Sequence, residues 1–186
     1  TVTTRYNDDD QPVESLIRDA HGMLLTRITH NYANRLLVSE ILVKENLDLP
    51  KEFLEQPSGE QLSEQQERAM RAQMKELLSQ NGLDSMERSY VYDKEGRVSR
   101  VTIQMGNLRI ETSTTYNDHG DASVTVRTQS GSPFESPDSP KAAHTHSDRS
   151  EVRYFYEYDS HGNWTVKTDK TVDGSSFETH RKLTYY

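Results

Sequence analysis

Short stretches of alternating apolar and polar residues, broken at regular intervals by Asp, Asn and Gly, run through most of this chain. Val152, Tyr154, Tyr156 and Tyr158 alternate with Arg153, Phe155 and Glu157, and Ala122, Val124 and Val126 alternate with polar neighbours. A period of two sends successive side chains to opposite faces, so these stretches read as strands of a half-buried sheet. By the same rule Trp164 and Val166 are expected on one face. Strands are predicted near residues 1 to 7, 11 to 18, 23 to 31, 35 to 43, 87 to 92, 97 to 104, 107 to 116, 121 to 128, 151 to 158, 163 to 170 and 176 to 185. Turn signals recur roughly every 12 residues, the spacing of strands of about 8 residues that meander through short loops. Two longer interruptions lie near 44 to 86 and 129 to 150.

The turns themselves repeat. Tyr92-Asp93-Lys94-Glu95-Gly96-Arg97-Val98, Tyr116-Asn117-Asp118-His119-Gly120-Asp121-Ala122 and Tyr158-Asp159-Ser160-His161-Gly162-Asn163-Trp164 align without gaps. Tyr6-Asn7-Asp8-Asp9-Asp10-Gln11-Pro12 is a degenerate copy, and Tyr32-Ala33-Asn34-Arg35-Leu36 a shortened one. In this unit the Asp or Asn side chain bonds turn N–H groups and the glycine supplies a positive φ, which is hairpin-turn chemistry. Other turn signals, at Asp19-Ala20-His21-Gly22, Met105-Gly106-Asn107 and Asp173-Gly174, alternate with the tyrosine turns. In an up-and-down meander every second connection lies on the same rim of strand ends. Both long interruptions fall where a non-tyrosine turn is due, so parity predicts both insertions on one rim and the tyrosine turns on the other. The repeating unit is two strands and about 24 residues, the step from Tyr92 to Tyr116.

In the first insertion the period changes to that of a helix. Ser63 and Gln66 have capping-box spacing, and Ala69, Met70, Met74, Leu77 and Leu78 form an apolar stripe, which predicts a helix from about 64 to 80 closed by Asn81-Gly82. Pro50 is expected to start a shorter helical turn through Phe53 and Leu54. The mixed charge of Glu64, Glu67, Arg68, Arg71, Lys75 and Glu76 favours packing on the domain over lipid binding. The second insertion is rich in Ser and Pro, with Phe134 its one large apolar side chain, and is expected to be a mobile loop.

Composition limits what can cover such a sheet. Only 32% of the 186 residues are hydrophobic and the mean hydropathy is -0.93, too polar for a thick two-layer core. The expected fold is mainly β, an antiparallel up-and-down meander of about eleven strands forming a curled sheet, with the α-helical insertion packed on it. Residues 1 to 186 read as a single β-repeat domain. A formal net charge of -8 repels phosphate backbones, so nucleic acid is not an expected partner. No apolar run approaches the length of about 18 residues that would suggest membrane insertion. The absence of cysteine excludes disulfides and thiolate chemistry.

The Tyr-Asp-x-x-Gly-Arg-Val unit at residues 92 to 98, with its kin at 116 and 158, resembles the YD repeats of RHS and teneurin-like proteins. The resemblance covers about half of the chain. It implies β-hairpin sheets that belong to a larger repeat protein, a bacterial envelope or extracellular location, and a scaffold or interaction module without catalytic residues of its own. The helical insertion departs from that pattern, and no RHS core or toxin segment is present.

The aromatic column is the candidate site. Tyr92, Tyr116 and Tyr158 hold equivalent positions before successive turns, with Tyr154, Tyr156 and Trp164 nearby. Such rings hold strand register by cross-strand packing, or, if exposed, stack on a sugar or a peptide. The candidate partners are therefore an unidentified protein or a carbohydrate. A hydrolase on a curled sheet is the third reading and requires a pair of carboxylates, or a His with a carboxylate, in a pocket. No catalytic pair can be read from spacing, and no cofactor is expected. His21, His119 and His161 precede turn glycines, and His21 falls on the rim opposite the other two, so they are read as turn residues and not as ligands of one ion. The string His144, His146, Asp148 and the run Asp8, Asp9, Asp10 could ligate cations but read as solvated loop and turn.

Overall fold

The computed structural model describes residues 1–46, 63–132 and 148–185. Among these residues eleven strands follow one another in chain order across one open antiparallel sheet. They are β1 (Val2–Tyr6), β2 (Pro12–Arg18), β3 (Leu24–Ala33), β4 (Leu36–Lys44), β5 (Ser85–Tyr92), β6 (Val98–Met105), β7 (Leu108–Tyr116), β8 (Ala122–Ser130), β9 (Asp148–Tyr158), β10 (Trp164–Thr171) and β11 (Ser176–His180), with one helix, α1 (Glu64–Gln80), between β4 and β5. Because each strand pairs with the next, connections alternate between two rims. The turns after β1, β3, β5, β7 and β9 share one rim, and both insertions leave from the other, as parity requires.

One turn design is used repeatedly. In the turn after β5, the Asp93 N–H donates to Arg97 O at 2.9 Å, while Asp93 Oδ1 accepts from the Glu95 and Arg97 N–H groups at 3.0 and 2.9 Å. Asn7, Asn117 and Asp159 make the same three bonds on that rim, and Asp19 makes them on the opposite one. The fourth turn residue is left-handed: φ is 78° at Gly96, 87° at Gly120 and 77° at Gly162. In the degenerate first copy Asp10 takes that role with φ 57°. The β3–β4 turn is a different, two-residue design in which Asn34 (φ 51°) and Arg35 (φ 65°) are both left-handed.

Each of these five turns carries a register shift at its mouth, and this corrects two facial assignments made from alternation alone. Tyr116 pairs with Ala122, but Thr115 pairs with Val124, so residue 123 is an extra one and Ala122 leaves the face that Val124 shares with Val126. Likewise Trp164 pairs with Tyr158 while Val166 pairs with Glu157, which separates Trp164 from Val166. In the last three hairpins the extra residue is a hydroxyl one that bonds across the hairpin: Ser99 to Val91 O, Ser123 with Thr115 Oγ1, and Thr165 to Glu157 O.

The two faces differ in chemistry. Cross-strand rows place Ile28, Leu42 and Met86 side by side, with Tyr90 beside Val101 and Ile103 beside Ile110, on the face that also carries Tyr92. The other face carries ion pairs such as Arg27–Glu14, Arg109–Glu111 and Arg149–Glu151. Exposed pairs of this kind contribute little stability each, about 0–1 kcal/mol. No side chain among the described residues is fully buried, as a single layer of such polarity dictates. Cross-strand contacts, not a sealed core, hold the sheet.

The helix begins with the expected capping box: Gln66 N–H donates to Ser63 Oγ and Ser63 N–H to Gln66 Oε1. Met70, Met74 and Leu78 are half-buried with Glu67 and Arg71, whereas Ala69 and Leu77 of the predicted stripe are exposed. No helical residue is buried. The described contacts that seat α1 lie toward its C-terminal end. Lys75 Nζ donates to Glu45 O at 2.7 Å, and Gly82 meets the β6–β7 turn at Gly106, where a Cβ would lie 2.4 Å from Asn81 O.

Three boundaries move. Strands β8 and β9 run to Ser130 and from Asp148, into the expected loop, and β11 stops at His180 although a strand was expected to 185. The turn expected at Pro50, and Phe134, His144 and His146, lie outside the described residues.

Candidate binding surface

The tyrosines of the column do not stand free; most close gaps between hairpins. The ladder joining β4 to β5 begins at Ser39, two residues inside Leu37, and the Tyr92 hydroxyl donates to Leu37 O at 2.8 Å. The ladder joining β6 to β7 begins at Arg100, and Tyr116 donates to Val98 O at 2.7 Å. That joining β8 to β9 begins at Val124, and Tyr156 donates to Ala122 O at 2.9 Å. That joining β2 to β3 begins at Glu14, and Tyr32 donates to Pro12 O at 3.0 Å. In all four seams a tyrosine on an odd-numbered strand satisfies a carbonyl two residues beyond the backbone ladder, where it would otherwise lack a partner. The β10–β11 seam follows the same rule with a different side chain. Its ladder begins at Val166, and Arg181 Nε donates to Trp164 O at 3.0 Å.

A second layer of contacts covers the rings. The Arg97 guanidinium lies 4.5 Å from the centre of the Tyr116 ring and is itself held by Asp93 at 2.7 Å. The ring of His119 stacks on Tyr158 at 3.9 Å, and His161 stacks on Tyr185 at 4.2 Å. Tyr158 donates to Asp121 Oδ2 at 2.7 Å and accepts from Asn117, so it grips both ends of the preceding turn. Tyr185 grips the next turn in the same way, bonding Asp159 and accepting from Asn163. Lys167 lies 4.6 Å from the Tyr154 ring centre, and Arg181 lies 4.1 Å from that of Trp164. Tyr92, Tyr116, Tyr154, Tyr156, Tyr158 and Trp164 are all half-buried.

These surroundings change the phenols. Burial, reinforced by the Asp121 charge, pushes Tyr156 up to about 12. Burial and the bond to Asp121 raise Tyr158, and burial and the bond to Glu40 raise Tyr90. Asp159 moves the other way, held below the usual carboxylate range by the Tyr185 hydroxyl and then by turn N–H groups, against the effect of burial.

The sequence did not single out several of these residues. Tyr90 lies two positions before Tyr92, a spacing that puts both on one face, and it donates to Glu40 at 2.5 Å. Glu40 also meets Arg88 at 3.7 Å and His30 at 3.5 Å, in a cross-strand row His30–Glu40–Arg88. Arg181 and Tyr185 precede no turn and gave no local signal. His119 and His161 sit on the tyrosine rim and His21 on the other, and no group of three or more His, Asp or Glu able to hold a metal is present among the described residues. Asp9 pairs with Arg35 at 2.8 Å, and Asp148 opens β9.

No family model matches this chain, and no curated protein matches it. No helix among the described residues is long and apolar enough to cross a membrane.

Proposed function

We propose that this chain is a non-catalytic scaffold or interaction module, a run of hairpins whose recurring rim tyrosines serve assembly of the sheet and not capture of a small ligand. One observation carries the reading: in four successive seams the tyrosine hydroxyl is committed to a neighbouring main-chain carbonyl. A sugar platform would need those hydroxyls and ring faces available, yet Arg97 and His119 already occupy faces of Tyr116 and Tyr158. A hydrolase would need a His–carboxylate pair open to substrate, whereas Glu40, beside His30, is also engaged by Tyr90 and Arg88. The likeness of the Tyr-Asp-x-x-Gly turns to YD repeats extends the proposal to a bacterial envelope or extracellular setting within a larger repeat protein. Truncating Tyr116 tests the reading: it predicts a loss of stability, and an unchanged melting temperature together with saccharide affinity in the parent protein would overturn it.

A further inference from the structure

The segment after β11 repeats, on one hairpin, what a strand does on the hairpin before it. Tyr156 and Tyr158 of β9 serve the β7–β8 hairpin: one hydroxyl donates to Ala122 O, and the other donates to Asp121, accepts from Asn117 and belongs to the ring stacked on His119. Ala122, Asn117, Asp121 and His119 align with Trp164, Asp159, Asn163 and His161 of the β9–β10 hairpin. There Arg181 donates to Trp164 O, and Tyr185 donates to Asp159, accepts from Asn163 and stacks on His161 at 4.2 Å. The bonds match, but their footing differs. Tyr156 and Tyr158 belong to a strand paired on both sides, whereas residues 181–185 continue past the end of β11 without strand structure. Among the described residues one main-chain bond joins this segment to the sheet, from Arg181 N–H to Thr165 O at 2.8 Å. Tyr185 is held through its side chain.

The two turns also divide their chemistry differently. A phenol hydroxyl donates one hydrogen bond and accepts another, and each turn supplies one carboxylate and one carboxamide, in opposite order. At the β7–β8 turn Asn117 Oδ1 takes the turn N–H groups, which leaves Asp121 for the phenol. At the β9–β10 turn Asp159 does both. Its Oδ1 accepts from the His161 and Asn163 N–H groups at 2.9 and 3.0 Å, and its Oδ2 accepts from Tyr185. A proton taken up by Asp159 therefore goes to Oδ2, where the new O–H faces a hydroxyl that already accepts from Asn163. A charge-assisted bond, the stronger kind, is lost at the grip on Tyr185. Among the described residues, His161 of the turn faces Asp159 and Arg181 faces Tyr185. Both are cationic in acid and donate only, so neither replaces the lost acceptor.

We propose that residues 181–185 form an acid-released strap: with Asp159 ionised Tyr185 closes on the β9–β10 turn, and protonation of Asp159 frees the Tyr185 end while Arg181 keeps the other end on β10. The Asp159 carboxyl is held below the usual carboxylate range, first by the Tyr185 hydroxyl and then by the turn N–H groups, against the effect of burial. Closure is therefore complete above about pH 4 and is lost as pH falls through the folded value. The eleven-stranded ladder stays intact through this step, and Tyr158 has no such release because its strand remains paired.

Asp159→Asn places the strap in its acid state at neutral pH without breaking the turn, because Asn7 and Asn117 make the same turn bonds. Lys182 is exposed within the strap, so trypsin cleavage after it, followed by mass spectrometry on the folded protein, reads the open population. That cleavage should be roughly tenfold or more faster in Asp159→Asn than in the parent, the worth of a charge-assisted bond, and Tyr185→Phe should accelerate it to a similar degree. In the parent the His161 ring-proton resonances, displaced by the stacked phenol, should move in a step below about pH 4 as Tyr185 leaves, while the far-ultraviolet circular dichroism holds. Asp159→Asn should show the imidazole titration without that step. A cleavage rate in either variant equal to the parent's, an acid step that survives in Asp159→Asn, or one that coincides with loss of the sheet signal would each overturn the proposal.

Discussion

Tyr116 gives the sharpest measure of what a seam tyrosine does. Its hydroxyl donates to Val98 O at 2.7 Å, and its ring lies under Arg97 at 4.5 Å. Tyr116→Phe removes only the hydroxyl and leaves that carbonyl unpaired, a loss of about 0.5–1.5 kcal/mol. Tyr116→Ala also removes the ring. Full truncation of a core aromatic costs about 3–5 kcal/mol, but Tyr116 is half-buried, so roughly half of that range applies to the ring. The cation–π contact adds about 0.5–1 kcal/mol at a site this exposed. The expected total for alanine is about 2.5–5 kcal/mol, which for a chain of this length lowers the melting temperature by about 5–20 °C, against about 1–6 °C for phenylalanine. Thermal unfolding followed by far-ultraviolet circular dichroism reads both variants. The decisive feature is the order: parent, then phenylalanine, then alanine. If phenylalanine matches the parent and alanine stays within about 0.5 kcal/mol of it, as a surface substitution would, the tyrosine is not closing the seam.

Three further outcomes follow from the turns and the phenols. Gly120→Ala should cost about 1–2 kcal/mol, because φ is 87° there while the nearest obstacle to a Cβ, Arg97 Nη1 at 3.9 Å, is an ordinary contact; an unchanged denaturation midpoint would refute the backbone account. Asp10→Gly should do the opposite and stabilise by about 0.5 kcal/mol, since Asp10 holds φ 57° at the position glycine occupies in the later repeats; a lower midpoint would show that its carboxylate is used. The third outcome concerns the raised tyrosines. A folded state that raises a phenol's pKa keeps a proton the unfolded chain would release, so this stabilisation is intact below about pH 10 and is lost as pH rises through the folded value. Tyr156, at about 12, sets the upper end of that window. Absorbance at 295 nm should therefore show tyrosinate forming in at least two stages, the later one coincident with unfolding, and a single transition near pH 10 in the folded protein would contradict it.

Much of this architecture is written locally. A hairpin whose Asp93 side chain binds the N–H groups two and four residues on needs no distant partner, so the period of the turns, the strand order and the rim of each insertion can be read from Asx–Gly spacing. The helix is legible for the same reason, since the Ser63–Gln66 box closes within one turn. Alternation fails at the turn mouth because the extra residue there costs nothing in composition but reverses parity, and Ala122 and Trp164 change face as a result. The seam bonds were harder to see. Tyr92 reaches a carbonyl 55 residues away across an insertion, and no spacing rule encodes that distance. Arg181 was invisible because it does a tyrosine's work with a different chemistry and precedes no turn.

A sheet without sealed interior must obtain its rigidity from contacts between neighbours, and here two kinds divide the labour. Within a hairpin the Asx turn fixes register; between hairpins the backbone ladder stops short and a tyrosine or Arg181 completes it. Stability then resembles that of a linear array, a sum of unit and nearest-neighbour terms, with damage at one seam spreading little beyond it. This arrangement accounts for Tyr92 and Tyr116, which directly precede their turns and each reach one carbonyl although neither is fully buried; on β9 that bond comes from Tyr156, and Tyr158, at the repeat position, binds Asp121 and Asn117 of the preceding turn instead. It also bears on ligand binding. A sugar or peptide that recruited the Tyr92 or Tyr116 hydroxyl would have to replace a main-chain bond already made, gaining only the difference between two hydrogen bonds.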